Sequence, residues 1–426
     1  MKKNNWKRLL VSGLALSAIA TTMPATVWAK GEDKTTVSLA FQYDYDVVKD
    51  VVEEYMKENP DIDIQYRVLS ENDEEMVTKL TGNVFEDVYI VPSIMQTSEL
   101  PNYFAPLGDA EALNEKYYYG SYLAVDGQAY GYPIGVVYEG LLYNQDVLDK
   151  YYDGKVPTTL DELYECCGIL ADNGITPFYS NAGSSWPLRY WDNLAITMSD
   201  DPDYANTIID NEEPWAEGSY LRESENILAT LAANGWLESD CVTADQWDSS
   251  VASLGMGQTA FILTGSWAIP YVKDAAEELG NSRDSIQFTA FPYKNDVSAD
   301  NPLNLRVSQD LFLGVNKNAE NLDAAKEFAA YFAEHISGNI GENGIFREGG
   351  EVLPDVAELS KLDYVKLYDS PARDPKIQEM AGVSKVDVYA YDSFLLEYVI
   401  LPCQESGKAD SAKYDDLNTL WKQNFK

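Results

Sequence analysis

The first sixty residues beyond Lys34 alternate between two hydrophobic periods, and that alternation restricts the fold more than any other feature. Residues 35–42 read TTVSLAFQ, a short β-rich run. Val47, Val48, Val51, Val52 and Tyr55 follow at helical spacing, stopped by Asn59-Pro60. Residues 63–69 alternate like a strand, Asn72 to Thr81 predicts a helix closed by Gly82-Asn83, and residues 87–91 (DVYIV) form an apolar strand. Strand, helix, strand, helix, strand at these lengths predicts a parallel sheet with helices on its faces. Ligands of such sheets sit outside the carboxyl ends of the strands, so residues 41–44 and 92–95 fall on a candidate binding edge.

A second alternating block starts near Gly140. A strand at 140–143 precedes a helix at 144–151. Pro157-Thr158-Thr159 with Glu162 then predicts a capped helix start, Thr159 being the cap, for a helix over 160–172. Residues 175–179 predict a strand, Ser184 to Leu188 a helix opening, 227–233 a helix and 259–264 (TAFILT) a buried strand. Ile286 to Phe291, Leu311 to Val315 and a helix over 322–333 read as a return to the first lobe, and the remainder as mostly helical. About 400 residues exceed what one compact core usually supports, so two lobes are expected. No low-complexity tether separates them, which suits a hinge.

Lys2, Lys3, Lys7 and Arg8 precede an apolar core, Leu9 to Ala20, too short to span a bilayer. Val27-Trp28-Ala29 has small residues where a signal peptidase cuts. A signal peptide over 1–29 and an exported protein are expected. The formal net charge is −39, and loss of the four leader cations deepens it to −43. Such a surface repels nucleic acid and anionic lipid and suits neutral ligands; plain solubility explains it equally well. His335 is the only histidine, which excludes a His-based triad or a multi-His metal site. Cys166, Cys167, Cys241 and Cys403 lack CxxC spacing, so no structural zinc is expected. Cys167 lies on an apolar helix face, and an oxidised pair with Cys241 stays open as an alternative. No cofactor is called for.

Several segments, in order, resemble the extracellular solute-binding proteins of family 1, the sugar receptors of ABC importers. They are Gly131-Tyr132-Pro133-Ile134 with Leu142 to Asp146, Gly174-Ile175-Thr176-Pro177-Phe178, Ser185-Trp186-Pro187-Leu188, Gly257 to Ala260 through Gly265-Ser266-Trp267-Ala268, and Asn321 to Phe328. The resemblance implies an α/β, two-lobe periplasmic-binding-protein-like fold. Each lobe is a mainly parallel sheet flanked by helices, joined by several hinge crossovers. Lobe 1 would comprise 35–138 and 286–335, lobe 2 139–285 and 336–426. It further implies a monomeric receptor that catalyses nothing, captures a neutral mono- or oligosaccharide and delivers it to membrane permease subunits. Relatives from Gram-positive bacteria usually carry a lipidated cysteine after the signal core, whereas the first cysteine here is Cys166.

A sugar needs aromatic plates for its C–H faces and planar or ionised groups for its hydroxyl rim. Trp267 emerges at a strand end, and its family counterpart stacks on sugar. Trp186 has similar standing, against the alternative of a helix-start staple. Tyr43 and Asp44 occupy the first strand-to-helix loop, where Asp44 is either a hydroxyl acceptor or a helix cap. Ser93 and Gln96 follow the Val91-Pro92 strand end. Tyr138 and Glu139 sit at a crossover, Glu139 either accepting from ligand or bonding the hinge. Gln309 and Asp310 match the family's ligand-side loop, although relatives often have a Gly pair there, and Val137 stands where many have a polar contact. Tyr389, Tyr391 and Asp392 match a segment that supplies a further plate. The rival readings are a secreted glycoside hydrolase, which would set two carboxylates across the cleft, and a receptor of the same fold for a polyamine or a peptide.

Overall fold

The computed structural model describes residues 34–426 apart from 244–245, 351, 370, 372–373, 375, 387–393, 408–410 and 426. The signal-peptide region and Tyr389, Tyr391 and Asp392 lie outside the described residues.

Two sheets organise the chain. In the first, Thr35–Phe41 pairs in parallel with Ile62–Val68 on one side and Val88–Ile90 on the other. Phe312–Val315 then joins Val88–Ile90 antiparallel, and Tyr132–Pro133 closes the edge. The helices Tyr45–Glu58 and Leu322–His335 cover this sheet through rings that meet edge-on or tilted: Phe41 with Phe332 at 5.1 Å and Tyr55 with Phe328 at 5.0 Å. Asn72 forms a reciprocal capping box with Glu75 at the start of Asp73–Thr81.

The second sheet is built around one nine-residue strand, Val136–Asn144. Thr259–Gly265 runs antiparallel along one edge of it. Its other edge is shared by Leu303–Gln309 beside the N-terminal half and Ile286–Thr289 beside the C-terminal half, both antiparallel. Gly140 lies where those partners change over; a Cβ there would stand 2.4 Å from the Thr289 carbonyl oxygen, which explains the glycine. Thr176–Phe178 and Val365–Asp369 extend the sheet with parallel pairings. Phe178, Trp191 and Phe291 form its aromatic core. Thr159 caps the helix Leu160–Asp172 in a box with Glu162, as the sequence predicts.

Three expectations and one open alternative need correction. Both sheets are mixed rather than mainly parallel, because strands that return from the opposite sheet re-enter in the reverse sense. Ile286–Thr289 pairs with Val136–Asn144 and so belongs to the second sheet; the chain regains the first sheet only at Phe312. Val365–Asp369 is an edge strand inside the stretch read as helical. The cysteines are all buried free thiols, so the Cys167–Cys241 pair does not form.

Two backbone passages between the sheets are only two residues long. Ile134-Gly135 links Tyr132–Pro133 to Val136–Asn144, and Asp310-Leu311 links Leu303–Gln309 to Phe312–Val315. They are bonded to one another, the Ile134 amide donating to the Leu311 carbonyl at 3.0 Å. Beyond the first-sheet helix Leu322–His335, Asn343 pairs with Val136 as an isolated bridge and makes a third passage.

Candidate functional site

A cleft of about 780 Å³ opens between the two sheets at these passages. One wall is built from first-sheet loops: Gln42 after the first strand, the turn from Leu69 to Asp73, and Val91 to Thr97 after the third. These are strand carboxyl ends, where the strand–helix pattern places a binding edge. Tyr122 and Phe312 supply a stacked aromatic pair on the wall, centroids 5.4 Å apart and 21° between planes. The opposite wall carries Glu139, Arg189, Asn193, Arg306 and Ser308, with Gln309 and Asp310 at the passage between sheets.

Polar groups on the second wall are held in one network. Arg306 and Glu139 are opposite each other in the antiparallel register and form an ion pair with side chains 7% and 9% exposed. Glu139 Oε1 also accepts from Ser308 Oγ at 3.1 Å and Asn193 Nδ2 at 3.2 Å. These bonds fix the carboxylate's orientation, as a buried charge requires. On the first wall, Ser93 Oγ donates to Asp73, while Glu71 is tied to Arg67 and Lys79.

At the hinge end, Asp310 meets Glu342. Glu342 is fully buried, burial and then Asp310 pushing its carboxyl well above the usual range. Burial also raises Asp310, while the Glu342 hydrogen bond and the Arg189 charge pull it back down. Tyr43 from the first sheet and Tyr271 from the helix Ala268–Glu278 share a hydrogen bond beside this pair.

The sequence-predicted residues divide into three groups. Ser93, Gln96, Glu139, Gln309 and Asp310 line the cleft. Tyr43, Asp44, Tyr138, Trp186 and Trp267 do not. Asp44 is exposed at the N-cap position of Tyr45–Glu58, without a side-chain capping bond. Tyr138 is buried in the long strand, its amide donating to Ser266 Oγ at 3.1 Å. Trp267 packs on Trp247 and Trp186 at 5.0 and 5.7 Å, and its indole donates to Tyr190 Oη at 3.0 Å. The rings that sequence reading set aside for ligand thus pack against one another. Tyr389 and Tyr391 lie outside the described residues. Sequence reading missed Arg189, Asn193, Arg306 and Glu342. For Arg306 a signal existed, a cation inside the apolar alternation of LNLRVSQ.

Two α/β lobes on short crossovers, with a polar cleft between them, define a solute-binding protein of the hinged two-lobe class. Residues 42–336 match the family model described as bacterial extracellular solute-binding protein, and the chain belongs to that family. Its members are extracellular, so the protein is an exported one, and no helix among the described residues is long and apolar enough to cross a membrane.

Among curated proteins, the melibiose/raffinose/stachyose-binding protein MelE of Bacillus subtilis is 23% identical over 214 residues, which is 49% of this chain and 47% of MelE. The chain therefore spans about half the length of this relative, and a smaller share of an ABC transporter extracellular-binding protein of Pyrococcus horikoshii, 27% identical over 34% of this chain and 32% of that protein. Among solved structures, BlMnBP1, an ABC transporter binding protein of Bifidobacterium animalis subsp. lactis in complex with mannobiose, superposes with a TM-score of 0.80 at 22% identity, covering 92% of this chain and 94% of that one. RafE in complex with raffinose gives 0.66 at 16% identity, covering 92% and 100%. At these identities the likeness establishes the fold alone.

Proposed function

We propose that the protein captures a neutral oligosaccharide in the cleft and delivers it to the membrane subunits of an ABC importer, acting as a monomer without catalysis. The observation that carries this reading is the composition of the cleft. Its walls come from both lobes, and they set amide, hydroxyl and charged groups around a stacked aromatic pair, as a hydroxyl-rimmed ring requires. Closure follows from differential affinity, since a ligand touching Ser93 and Gln96 on one side and Asn193 and Gln309 on the other is held by both only when the lobes are shut.

The acids of the second wall support a binding role over hydrolysis. Glu139 is committed to Arg306, Ser308 and Asn193. The names of MelE, BlMnBP1 and RafE, or of their complexes, add melibiose, raffinose, stachyose and mannobiose to the ligands to test first. Export from the cell fits this role, with the protein at the cell surface or in the surrounding space.

A thermal-shift series against mannobiose, mannotriose, raffinose and a polyamine tests the proposal. A ligand at about 100 times its Kd stabilises the folded state by about 2.7 kcal/mol, so a true ligand raises Tm in proportion to the logarithm of its concentration. A rise with a sugar is expected. A rise with the polyamine alone, or release of hydrolysed sugar, would overturn it.

A further inference from the structure

The cleft is completed by the end of the helix Lys376–Ser384, where Gly382 and Lys385 line the cavity. Each is a residue that its local backbone disfavours. Gly382 lies inside the helix, outside the left-handed region, and an added Cβ would meet nothing within 4 Å. No turn and no close neighbour asks for glycine there, and only proline favours a helix interior less.

Lys385 shows the converse. It is the first residue beyond the helix, its amide donates to the Ala381 carbonyl at 2.8 Å, and its φ is +63°. Glycine is the usual residue at such a helix end, because a Cβ is strained in the left-handed conformation. A cation near a helix C-terminus is favoured by the dipole, but a lysine inside the last turn would supply the same charge without the strain. Lys385 is exposed, and its ammonium has no ion pair or hydrogen bond among the described residues. The acids of the cleft walls are engaged elsewhere: Glu71 with Arg67 and Lys79, Asp73 with Ser93, and Glu139 with Arg306. A side chain is thus missing where the helix would take one, and kept where the backbone favours none. Both positions face one cavity, and backbone strain held at a cavity wall points to a contact made there.

We propose that Gly382 and Lys385 form a ligand-positioning patch on the cleft wall. The bare backbone at Gly382 admits the apolar edge of a sugar unit, and the Lys385 ammonium donates to that unit's hydroxyls. The inference rests on the oligosaccharide reading and names residues that set which sugar fits.

Isothermal titration calorimetry with mannotriose, raffinose and stachyose, beside thermal melts without sugar, tests the patch. Gly382→Leu places a helix-favouring side chain in the cavity, and Lys385→Gly relieves the left-handed residue while removing the ammonium. The ligand-free Tm of Gly382→Leu is expected to rise by about 1–2 °C. That of Lys385→Gly should be no lower than the native value. In both variants the Kd for the bound sugar should rise about tenfold or more, the loss expected for a contact with a charged donor or a blocked wall. Lys385→Arg, which keeps the cation, should retain affinity within a few-fold. A merely structural role would instead lower Tm and affinity together. A native protein that binds none of the three sugars overturns the oligosaccharide reading, and the patch with it. A native protein that binds one of them, with Kd unchanged in Gly382→Leu or Lys385→Gly, overturns the patch alone. A lowered ligand-free Tm in either variant overturns it whatever the sugars do.

Discussion

Arg306 and Glu139 stand directly opposite each other on adjacent antiparallel strands, and their ion pair is almost wholly removed from solvent on the wall of the cleft. Removing one partner of such a pair leaves an uncompensated buried charge, which costs about 3–5 kcal/mol. Arg306→Ala is expected to lower stability by that amount in urea denaturation. Arg306→Met combined with Glu139→Leu should recover most of it, because a matched apolar pair avoids the desolvation of both charges. Equal losses in the single and double variants would show that the pair is not the source.

A second buried acid lies deep in the second lobe. Glu225 is fully buried and accepts from the Trp215 indole at 2.8 Å, and burial followed by the neighbouring Asp192 raises its carboxyl well above the usual range. The folded state thus holds a proton that the unfolded chain releases near pH 4.3, the ordinary glutamate value of about that size. Its contribution is fully present below that pH and declines as pH rises towards the folded-state value. Glu225→Gln abolishes this linkage while keeping an acceptor for Trp215. The urea midpoint of the native sequence, relative to that of Glu225→Gln, should fall between pH 4.5 and pH 8; a constant difference would exclude a neutral Glu225.

Gly135 offers a steric test of the hinge. A methyl group there overlaps Glu342 Oε2 and would stand 2.7 Å from its carboxyl carbon. Overpacking of this kind usually costs about 1–3 kcal/mol. Gly135→Ala should lose stability in that range by chemical denaturation, and Gly135→Ala with Glu342→Ala should regain part of it, since the offending carboxyl is gone. A neutral single variant would show that Glu342 moves aside without cost.

The secondary structure was most legible where a period and a boundary signal coincide. Thr159 with Glu162 marks a helix start by its own chemistry, and that capping box forms. The pairing of strands was less legible, because an apolar run such as Ile286–Thr289 carries no mark of which sheet receives it. Val365–Asp369 escaped notice for a related reason. It lies on an edge with Lys366 and Leu367 exposed, and so lacks a clean alternation. Within the cleft, Gln309 and Asp310 were found through the family resemblance, and Ser93 and Gln96 by the strand-end rule, without any knowledge of contacts. The rule could not locate Glu342, whose environment exists only once three distant passages have come together. Nor could it show that Trp267 would find two other indoles, since abundance of aromatic residues hides which of them meet.

The route of the chain between the sheets also bears on how such a protein can change over generations. Neither lobe is a continuous stretch of the gene: the first sheet takes strands from residues 35–133 and again from 312–315, and the second from 136–309 and 365–369. One recombination event cannot exchange a whole lobe for that of a relative. Substitutions and loop replacements on either wall can instead alter the cleft without disturbing the short passages that join the two sheets.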